Sequence, residues 1–395
     1  PLRRLIEEVH MTADDTPFTD LPAALVEEAL GHAKSAGNQL LSTFRRIVEN
    51  RDAFRRALEN KGLITHESTC GYPPAPTTCA TDGSYSIERM LTADFAATAA
   101  VAVEGLTPPS ETRFWHAPRH SAYVRVEKHH EKTETMLRAI MLGRELLLAI
   151  EAPHDLVMLD ATLALPLICF HQAANGLKET TALQCNNEFR DHAHEYLTAY
   201  RTILESARTD KNVVALPKYS MRREIGNAVG WSGEYDDRGL LTILLQPGEL
   251  TKPIQLEPPS SSWLWSGNFS PLGETLGGQT PKQFAATLVT LLGGVHVFYY
   301  KPHSWLPALR VEIVKSVANN PHRLGGVLQG LKHQCATDAM LEPYPLYLAD
   351  RMVKSLARAM PAFRQVAAQH IAGQYEGDVG EVFFAMHGYR TESGV

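Results

Sequence analysis

Long hydrophobic runs and paired cysteines are both scarce in this sequence. No segment of its 395 residues approaches the roughly 18 consecutive apolar residues that suggest a membrane span. The 5 cysteines are widely separated and form no C-x-x-C pair that would begin a zinc site, which indicates reduced thiols. The first residues, PLRRLIEEVH, lack the apolar stretch of a secretory signal. We therefore expect a cytoplasmic protein that does not enter a membrane.

Repeats, low-complexity tracts and a strong net charge are missing too. The formal net charge of −6 argues against a chain that wraps uniformly around nucleic acid. Basic residues are concentrated in the stretch 201–223, where six bases and two acids give a local charge of +4. This stretch, with Arg222 and Arg223 at its end, is a candidate DNA-binding patch. A solvated helix face is an equally good interpretation.

Apolar periodicity divides the chain into a helical beginning and a mixed remainder. Helical spacing over residues 25–58 predicts one or two long helices. The segment THESTCGYPPAPTTCATDG then gathers prolines and hydroxyl residues, which is typical of a linker. We predict an N-terminal helical region at residues 1–65 and a second domain at residues 66–395.

Strand and helix patterns are mixed in the second domain. Strands are predicted at 121–127, 156–159, 213–216 and 240–245, and a hairpin at 295–300 with 309–313. Helices are predicted at 131–151, 345–359 and 363–371. The fold class is therefore α/β, with a mixed sheet flanked by helices and an N-terminal helical extension.

Two short segments with the same pattern carry the first candidate site residues. TDGSY contains Asp82 and LDATL contains Asp160, and each aspartate lies on or beside a predicted strand. A buried carboxylate is costly unless a positive group neutralises it, and neighbouring strands would bring both within reach of one divalent cation. The two aspartates are candidate metal ligands, although a D-G-S segment alone is more often a turn.

The predicted helix between them adds a third acid. Glu145 shares the apolar face of that helix with Leu137, Met141 and Leu148, so it should point inward and need a partner. Glu134 is a second choice, and pairing of Glu145 with an arginine is the alternative to metal binding. Three such acids can hold two Mg²⁺ or Mn²⁺ ions about 4 Å apart, and hard oxygen ligands favour these ions over zinc.

Taken together, several segments resemble the NurA family, the nucleases that accompany the HerA ATPase in DNA end processing. The resemblance extends over most of residues 79–360, and its landmarks are TDGSY, the helix with Glu145, VMLDATL, VVALPKYS, LLTILLQPGEL, VFYYK with LRVEI, and EPYPLYLAD. It implies a ribonuclease-H-like core. It also implies that Asp82, Glu145 and Asp160 bind metal and that Lys218 is catalytic.

Two further positions follow from the resemblance less directly. The active-site tyrosine of the family corresponds to Tyr299 or Tyr300, and the sequence does not decide between them. The family usually has an Ala-His pair where this chain has Ala349 and Asp350. Asp350 is therefore either a fourth oxygen ligand or a surface acid that pairs with a neighbouring base.

The resemblance also implies an activity, a cofactor and partners. It suggests a 5′-to-3′ DNA exonuclease that can also nick circular DNA, with two Mn²⁺ or Mg²⁺ ions. It suggests a homodimer on a hexameric HerA-type ATPase ring, acting in DNA end resection, repair or anti-phage defence. The aromatic pair Trp263 and Trp265 could stack on unpaired bases at a DNA end or cover a subunit interface.

Three alternatives stay open at this point. An actin-like ATPase also uses an early D-G-S/T turn, but this chain has only two Gly-Gly pairs and no further phosphate-loop pattern. An adaptor without chemistry that loads DNA into the ATPase ring is the non-enzymatic reading. A zinc site among His116, His120, His129 and His130 lacks helical spacing, and surface histidines are the simpler interpretation.

Overall fold

The computed structural model describes residues 21–218, 221–257 and 268–387. The described part of the chain divides into two compact units between Ala57 and Leu58. Helix α1 (Ala23–Glu49) lies in the first unit, and α2 (Arg51–Asn60) spans the boundary. The long helices predicted over residues 25–58 are therefore confirmed, whereas a domain boundary after residue 65 stays a prediction. No helix in these described ranges has both the length and the apolar character needed to cross a membrane.

The second unit mixes short strands with helices. Its strands are β1 (Ile64–His66), β2 (Thr78–Arg89), β3 (Asp94–Glu104), β4 (Arg119–Glu127), β5 (Leu156–Leu159), β6 (Asn212–Ala215), β7 (Glu249–Thr251), β8 (Ile254–Gln255), β9 (Val295–Tyr300) and β10 (Leu309–Val314). Its helices are α3 (Thr133–Glu151), α4 (Leu165–Gly176), α5 (Gln184–Glu205), α6 (Glu224–Val229), α7 (Asp237–Leu244), α8 (Pro281–Leu292), α9 (Lys315–Ala318), α10 (Pro321–Gln334), α11 (Tyr344–Gln374) and α12 (Val379–Ala385).

The described strands form one mixed sheet. Its order is β1-β7-β9-β10-β6-β5-β2-β3-β4, and β8 pairs with β9 beside this path. Strands β2, β3 and β4 form an antiparallel meander, and β5 lies parallel to both β2 and β6. A meander joined to two parallel strands is the ribonuclease-H-like arrangement. The predicted mixed sheet flanked by helices is confirmed.

Strand β3 had no sequence-based prediction and lies near the middle of the meander. Its sequence, DFAATAAVAVE, is rich in alanine, which is a poor strand former by itself. Four of these alanines, Ala96, Ala97, Ala100 and Ala102, are fully buried. Small side chains let helices approach a sheet closely, and both α3 and α11 pack on β2 and β3. These two helices carry Glu145 and Asp350.

Three local predictions need correction. The strand predicted at 240–245 is wrong, because α7 occupies this segment and buries Leu240, Leu241 and Leu244 at helical spacing. A short apolar run fits either structure, and the capping of α7 by the Asp236 side chain, 2.7 Å from the Gly239 nitrogen, favours the helix. The separate helices predicted at 345–359 and 363–371 are one helix, α11, which continues through Pro361.

The strand predicted at 121–127 is present within β4, at the edge of the sheet. Its alternation is real, but its apolar side is not the buried side. Tyr123 and Glu127 are buried, whereas Val126 is 54% exposed. The buried Glu127 accepts hydrogen bonds from the Tyr123 hydroxyl and from two backbone N–H groups at the start of α5, at 2.7–2.8 Å.

Candidate metal centre

Three aspartates from separate elements meet at one point. Asp82 lies in β2, Asp160 directly follows β5, and Asp350 lies in α11. One carboxylate oxygen of each lies within 4.8 Å of the other two. Thr81 pairs with Leu159 where β2 and β5 run in parallel, so the next residue of each chain segment is an aspartate. The adjacency that we expected of Asp82 and Asp160 is thus present.

Asp350 reaches this point because of how α11 packs. Its neighbour Ala349 and, one turn to either side, Leu346 and Val353 are buried. This stripe holds the helix on the sheet and leaves Asp350 at the border between the interior and solvent, with a side chain 18% exposed. Asp350 also pairs with Lys354, one turn further along, at 2.8 Å. Asp350 therefore lies in the aspartate cluster and also pairs with a neighbouring lysine.

Glu145 is buried as predicted, with 4% of its surface exposed. Its carboxylate has no hydrogen bond or ion pair with the described residues. Close packing of α3 on β2 brings it towards the aspartates. A Cβ atom added at Gly83, next to Asp82, would lie 2.6 Å from the Met141 Cγ, one helical turn before Glu145. Glycine at position 83 is what permits this approach.

Burial, followed by the charges of neighbouring acids, raises the pKa values of the clustered carboxyl groups. Burial, followed by the charge of Asp160, raises the pKa of Asp82 from 3.8 to about 7. Burial also raises the pKa of Asp160 to about 6, although Lys218 acts in the opposite direction. The pKa of Glu145 lies well above its ordinary range because of burial and the charges of both aspartates. The cluster therefore carries more carboxylate than nearby positive charge can neutralise.

This donor set fits a hard divalent cation. All the clustered groups are carboxylates, and the buried Asp160 Oδ1 has no hydrogen-bond partner among the described residues. An orphaned buried oxygen is costly unless something occupies its lone pairs. Oxygen ligands of this kind suit Mg²⁺ or Mn²⁺ rather than zinc.

Lys218 supplies positive charge at the edge of the cluster. Its Nζ lies 2.8 Å from Asp160 Oδ2 and 2.9 Å from Glu342 Oε2. The Asp350 Oδ1 is further away, at 3.5 Å. Burial would lower the pKa of this lysine, but its acidic partners outweigh burial and raise it. Lys218 therefore remains an ammonium group.

Glu342 was missed by the sequence analysis. It stands just before α11, at the start of the EPYPLYLAD segment, which was used only as a landmark of resemblance. The signal that could have drawn attention to it is an acid directly before a proline-rich helix start. Nothing local to Glu342 indicates that Lys218 would be its partner.

Tyr299 and Tyr300 are both fully buried, and their phenols make different contacts. The Tyr299 oxygen accepts a hydrogen bond from Arg310 at 2.9 Å. The Tyr300 hydroxyl donates to Glu67. Neither recorded contact is with the aspartate cluster, and an active-site role for either tyrosine stays a prediction.

The basic stretch 201–223 is engaged in contacts within the chain. Lys211 is buried and donates to three carbonyl groups at the end of α3, at 2.6–3.0 Å. Arg222 donates to the Glu257 carbonyl at 3.1 Å. Arg223 donates to the carbonyl groups of Trp231 and Tyr235, at 2.9 Å each. DNA binding by Arg222 and Arg223 stays a prediction, and Trp263 and Trp265 lie outside the described residues.

The histidine-rich segment does not form a metal cluster in the described part of the chain. His116, His120 and His129 are exposed, and His129 pairs with Asp94 at 2.8 Å. The aspartate trio is the group of potential ligands that this part of the chain brings together.

Comparison with known proteins agrees with this architecture. The NurA domain family profile matches residues 76–355. The crystal structure of the NurA nuclease from Sulfolobus solfataricus superposes with a TM-score of 0.57 at 14% identity, covering 88% of this chain and 98% of that chain. A crystal structure of NurA with manganese gives 0.51 at 13% identity, covering 86% and 99%.

A further structure, of NurA bound to dAMP and manganese, gives a TM-score of 0.50 at 14% identity and covers 81% of this chain and 92% of that chain. Among curated proteins, no sequence matches this chain. At these low sequence identities the superpositions support the fold and nothing further. The family profile, however, covers more than half of the chain, and the chain belongs to the NurA family.

Proposed function

We propose that this protein is a metal-dependent deoxyribonuclease whose site is built on Asp82, Glu145 and Asp160. The observation that carries the proposal is the convergence of three aspartate oxygens within 4.8 Å of one another beside the buried Glu145. Membership of the family supports it, as do the relatives crystallised with manganese and with dAMP and manganese.

Each acid has a role that follows from its position. Asp82 and Asp160 would hold Mn²⁺ or Mg²⁺ between adjacent strands, with Asp350 as a further oxygen ligand from α11. Glu145 would bind from the buried side, and four acids are enough for two ions. Divalent cations supply Lewis-acid chemistry, which makes water a better nucleophile and offsets charge on a phosphodiester.

Lys218 would act on the phosphate. Its ammonium group is charged and is held by Asp160 and Glu342 at 2.8 and 2.9 Å. A fixed cation stabilises the charge that develops on a phosphate oxygen during cleavage more than it stabilises the ground state. Glu342 would orient the ammonium group without touching DNA.

The finer parts of the proposal rest on the family. We infer a 5′-to-3′ exonuclease that can nick circular DNA and that works as a homodimer on a hexameric HerA-type ATPase. Its setting would be DNA end resection, repair or anti-phage defence in the cytoplasm. DNA contacts would come from the basic residues Arg222 and Arg223 and from the aromatic residues Trp263 and Trp265.

A nuclease assay with Mn²⁺, Mg²⁺ or EDTA, with and without the ATPase, tests the proposal. Asp82→Asn and Asp160→Asn remove a ligand charge but keep the shape, so cleavage should fall by orders of magnitude with folding intact. Asp210→Asn, which changes an exposed aspartate paired with Arg208, is the matched control and should cleave normally. Full activity in either site variant contradicts the proposal. Absence of cleavage by the wild type with any metal would favour the adaptor, and ATP binding would favour the actin-like ATPase.

A further inference from the structure

A buried ionic network lies next to residues 160–164, the segment between β5 and α4 that we call the Asp160 turn. Glu312 and Arg310, both in β10, are 1% and 2% exposed. The Glu312 Oε2 accepts a hydrogen bond from the Thr162 hydroxyl at 2.6 Å and one from the Leu163 N–H at 2.9 Å. These donors belong to the segment that directly follows Asp160. Glu312 therefore binds, through two hydrogen bonds, the turn that carries a proposed metal ligand.

The other oxygen of Glu312 is fixed from behind. Its Oε1 accepts from the Arg310 Nε and Nη2 at 3.3 and 3.1 Å. Arg310 also forms two hydrogen bonds to Glu224, at 2.8 and 2.9 Å. A planar guanidinium held in this way has little freedom, and it holds the Glu312 carboxylate in one orientation.

The turn is held at both of its ends. Before Asp160, the Leu159 carbonyl accepts from the Leu216 N–H at 2.9 Å as part of the sheet. After it, the Leu163 carbonyl accepts from the Tyr200 hydroxyl at 2.5 Å, while its N–H is held by Glu312. Of these contacts, the two hydrogen bonds to Glu312 are the ones that substitution of one carboxylate side chain can remove.

We propose that Glu312 is a positioning residue that sets the Asp160 carboxylate for metal binding, an inference that rests on the proposed function. The hydrogen bonds and the ion pair of Glu312 go to Thr162, Leu163 and Arg310 and not to the aspartate trio, so its effect reaches the metal through Thr162 and Leu163. Residues that orient ligands typically change metal affinity or activity by about 10- to 100-fold when replaced. A merely structural role would change stability and leave the affinity for metal unaltered.

Glu312→Gln tests this directly. The glutamine amide has only one oxygen for two sets of donors, so contact with either the turn or Arg310 is lost. We expect Mn²⁺ binding, measured by calorimetry, to weaken by about 10- to 100-fold. The Mn²⁺ concentration for half-maximal cleavage should rise in parallel, and much of the rate should return at saturating Mn²⁺.

Thr162→Val provides a second test should Glu312→Gln fold poorly. It removes the hydroxyl that Glu312 holds but leaves the buried charges paired, so it should weaken Mn²⁺ binding in the same direction by a smaller factor. Thr162→Ser keeps the hydroxyl and should bind Mn²⁺ as the wild type does. Weak binding in the valine variant that serine restores would link the hydrogen bond to the metal.

Glu127→Gln is the matched control. Glu127 is buried like Glu312 and accepts from a hydroxyl and from backbone N–H groups, but these belong to β4 and α5 rather than to the Asp160 turn. It should lose stability without a change in Mn²⁺ affinity. Equal Mn²⁺ affinity in the wild type, Glu312→Gln and Thr162→Val would overturn the inference alone. A wild type that neither binds Mn²⁺ nor cleaves DNA would instead remove the proposed function.

Discussion

The ammonium group of Lys218 lies 2.8 Å from the Asp160 carboxylate, so positive charge is distributed unevenly among the acids of the cluster. Asp160 has a positive partner at hydrogen-bond distance. Glu145 has none among the described residues, and burial together with the two aspartate charges raises its pKa well above the ordinary range. Lys218 therefore offsets only part of the negative charge of the cluster, and a divalent cation would neutralise more of it.

The metal-free protein should lose stability as the pH rises from about 4 to about 7. The folded-state pKa of Asp82 is raised from 3.8 to about 7 and that of Asp160 to about 6, so the folded state binds more protons than the unfolded state in this window. A carboxyl group with a raised folded-state pKa contributes its full stabilisation at a pH below its unfolded-state pKa. This contribution disappears as the pH rises past its folded-state pKa. The two shifts sum to about five pKa units, or about 7 kcal/mol at about 1.4 kcal/mol per unit. We expect a smaller decrease, on the order of a few kcal/mol, because both side chains are partly exposed.

Melting temperatures between pH 4 and pH 8, with EDTA or with Mn²⁺, measure this effect. Mn²⁺ should raise the melting temperature more at pH 8 than at pH 5, where protons compete for the same oxygens. Asp82→Asn should flatten the metal-free profile. A metal-free stability that rises steadily through this window would contradict the raised pKa values.

Lys218→Ala should lower the cleavage rate much more than it weakens DNA binding. Removal of one preorganised cation from a site of developing charge costs about 100-fold in rate. Lys354→Ala is the matched control, because Lys354 pairs with Asp350 but has a side chain 70% exposed, and an exposed pair contributes little. Single-turnover cleavage and DNA titrations separate the two quantities. Equal losses of rate and binding would make Lys218 an ordinary phosphate contact.

Asp350→Ala should lower the apparent affinity for Mn²⁺ by about tenfold, with part of the lost rate returning at high Mn²⁺. Asp350→His should keep substantial activity with Mn²⁺ and less with Mg²⁺, because imidazole is a better ligand for manganese than for magnesium. Cleavage rates across Mn²⁺ and Mg²⁺ titrations distinguish these cases. If the alanine variant follows the wild-type curve throughout, Asp350 serves only as a partner of Lys218 and Lys354.

Gly83→Ala should destabilise the protein by about 1–3 kcal/mol and weaken cleavage, because the new methyl group would meet the Met141 side chain at 2.6 Å and push α3 away from β2. Gly326→Ala, in α10, is the control, since nothing lies within 4 Å of its added Cβ atom. It should stabilise the protein by up to about 1 kcal/mol, as alanine is the better helix former. Thermal unfolding and Mn²⁺ binding of both variants give the comparison.

The sequence was most informative where local pattern and chemistry coincide. Helical spacing predicts α3 and the inward direction of Glu145, and the apolar run before Asp160 predicts β5. It was least informative where one pattern fits two structures. The leucine-rich segment at 240–245 suits a strand or a helix, and the alanines of β3 suit a strand only because helices cover them.

By itself, the sequence determined the chemical types at the site: two aspartates on or beside strands, an acid on an apolar helix face and a lysine after a strand. The tertiary structure alone decided which charges meet. Glu342 reaches Lys218, and Glu312 reaches Thr162 across 150 residues of chain. Hydrogen bonds and ion pairs require atoms to lie within about 3–4 Å of each other. The separation of two residues along the chain does not determine that distance; strand order and helix packing do.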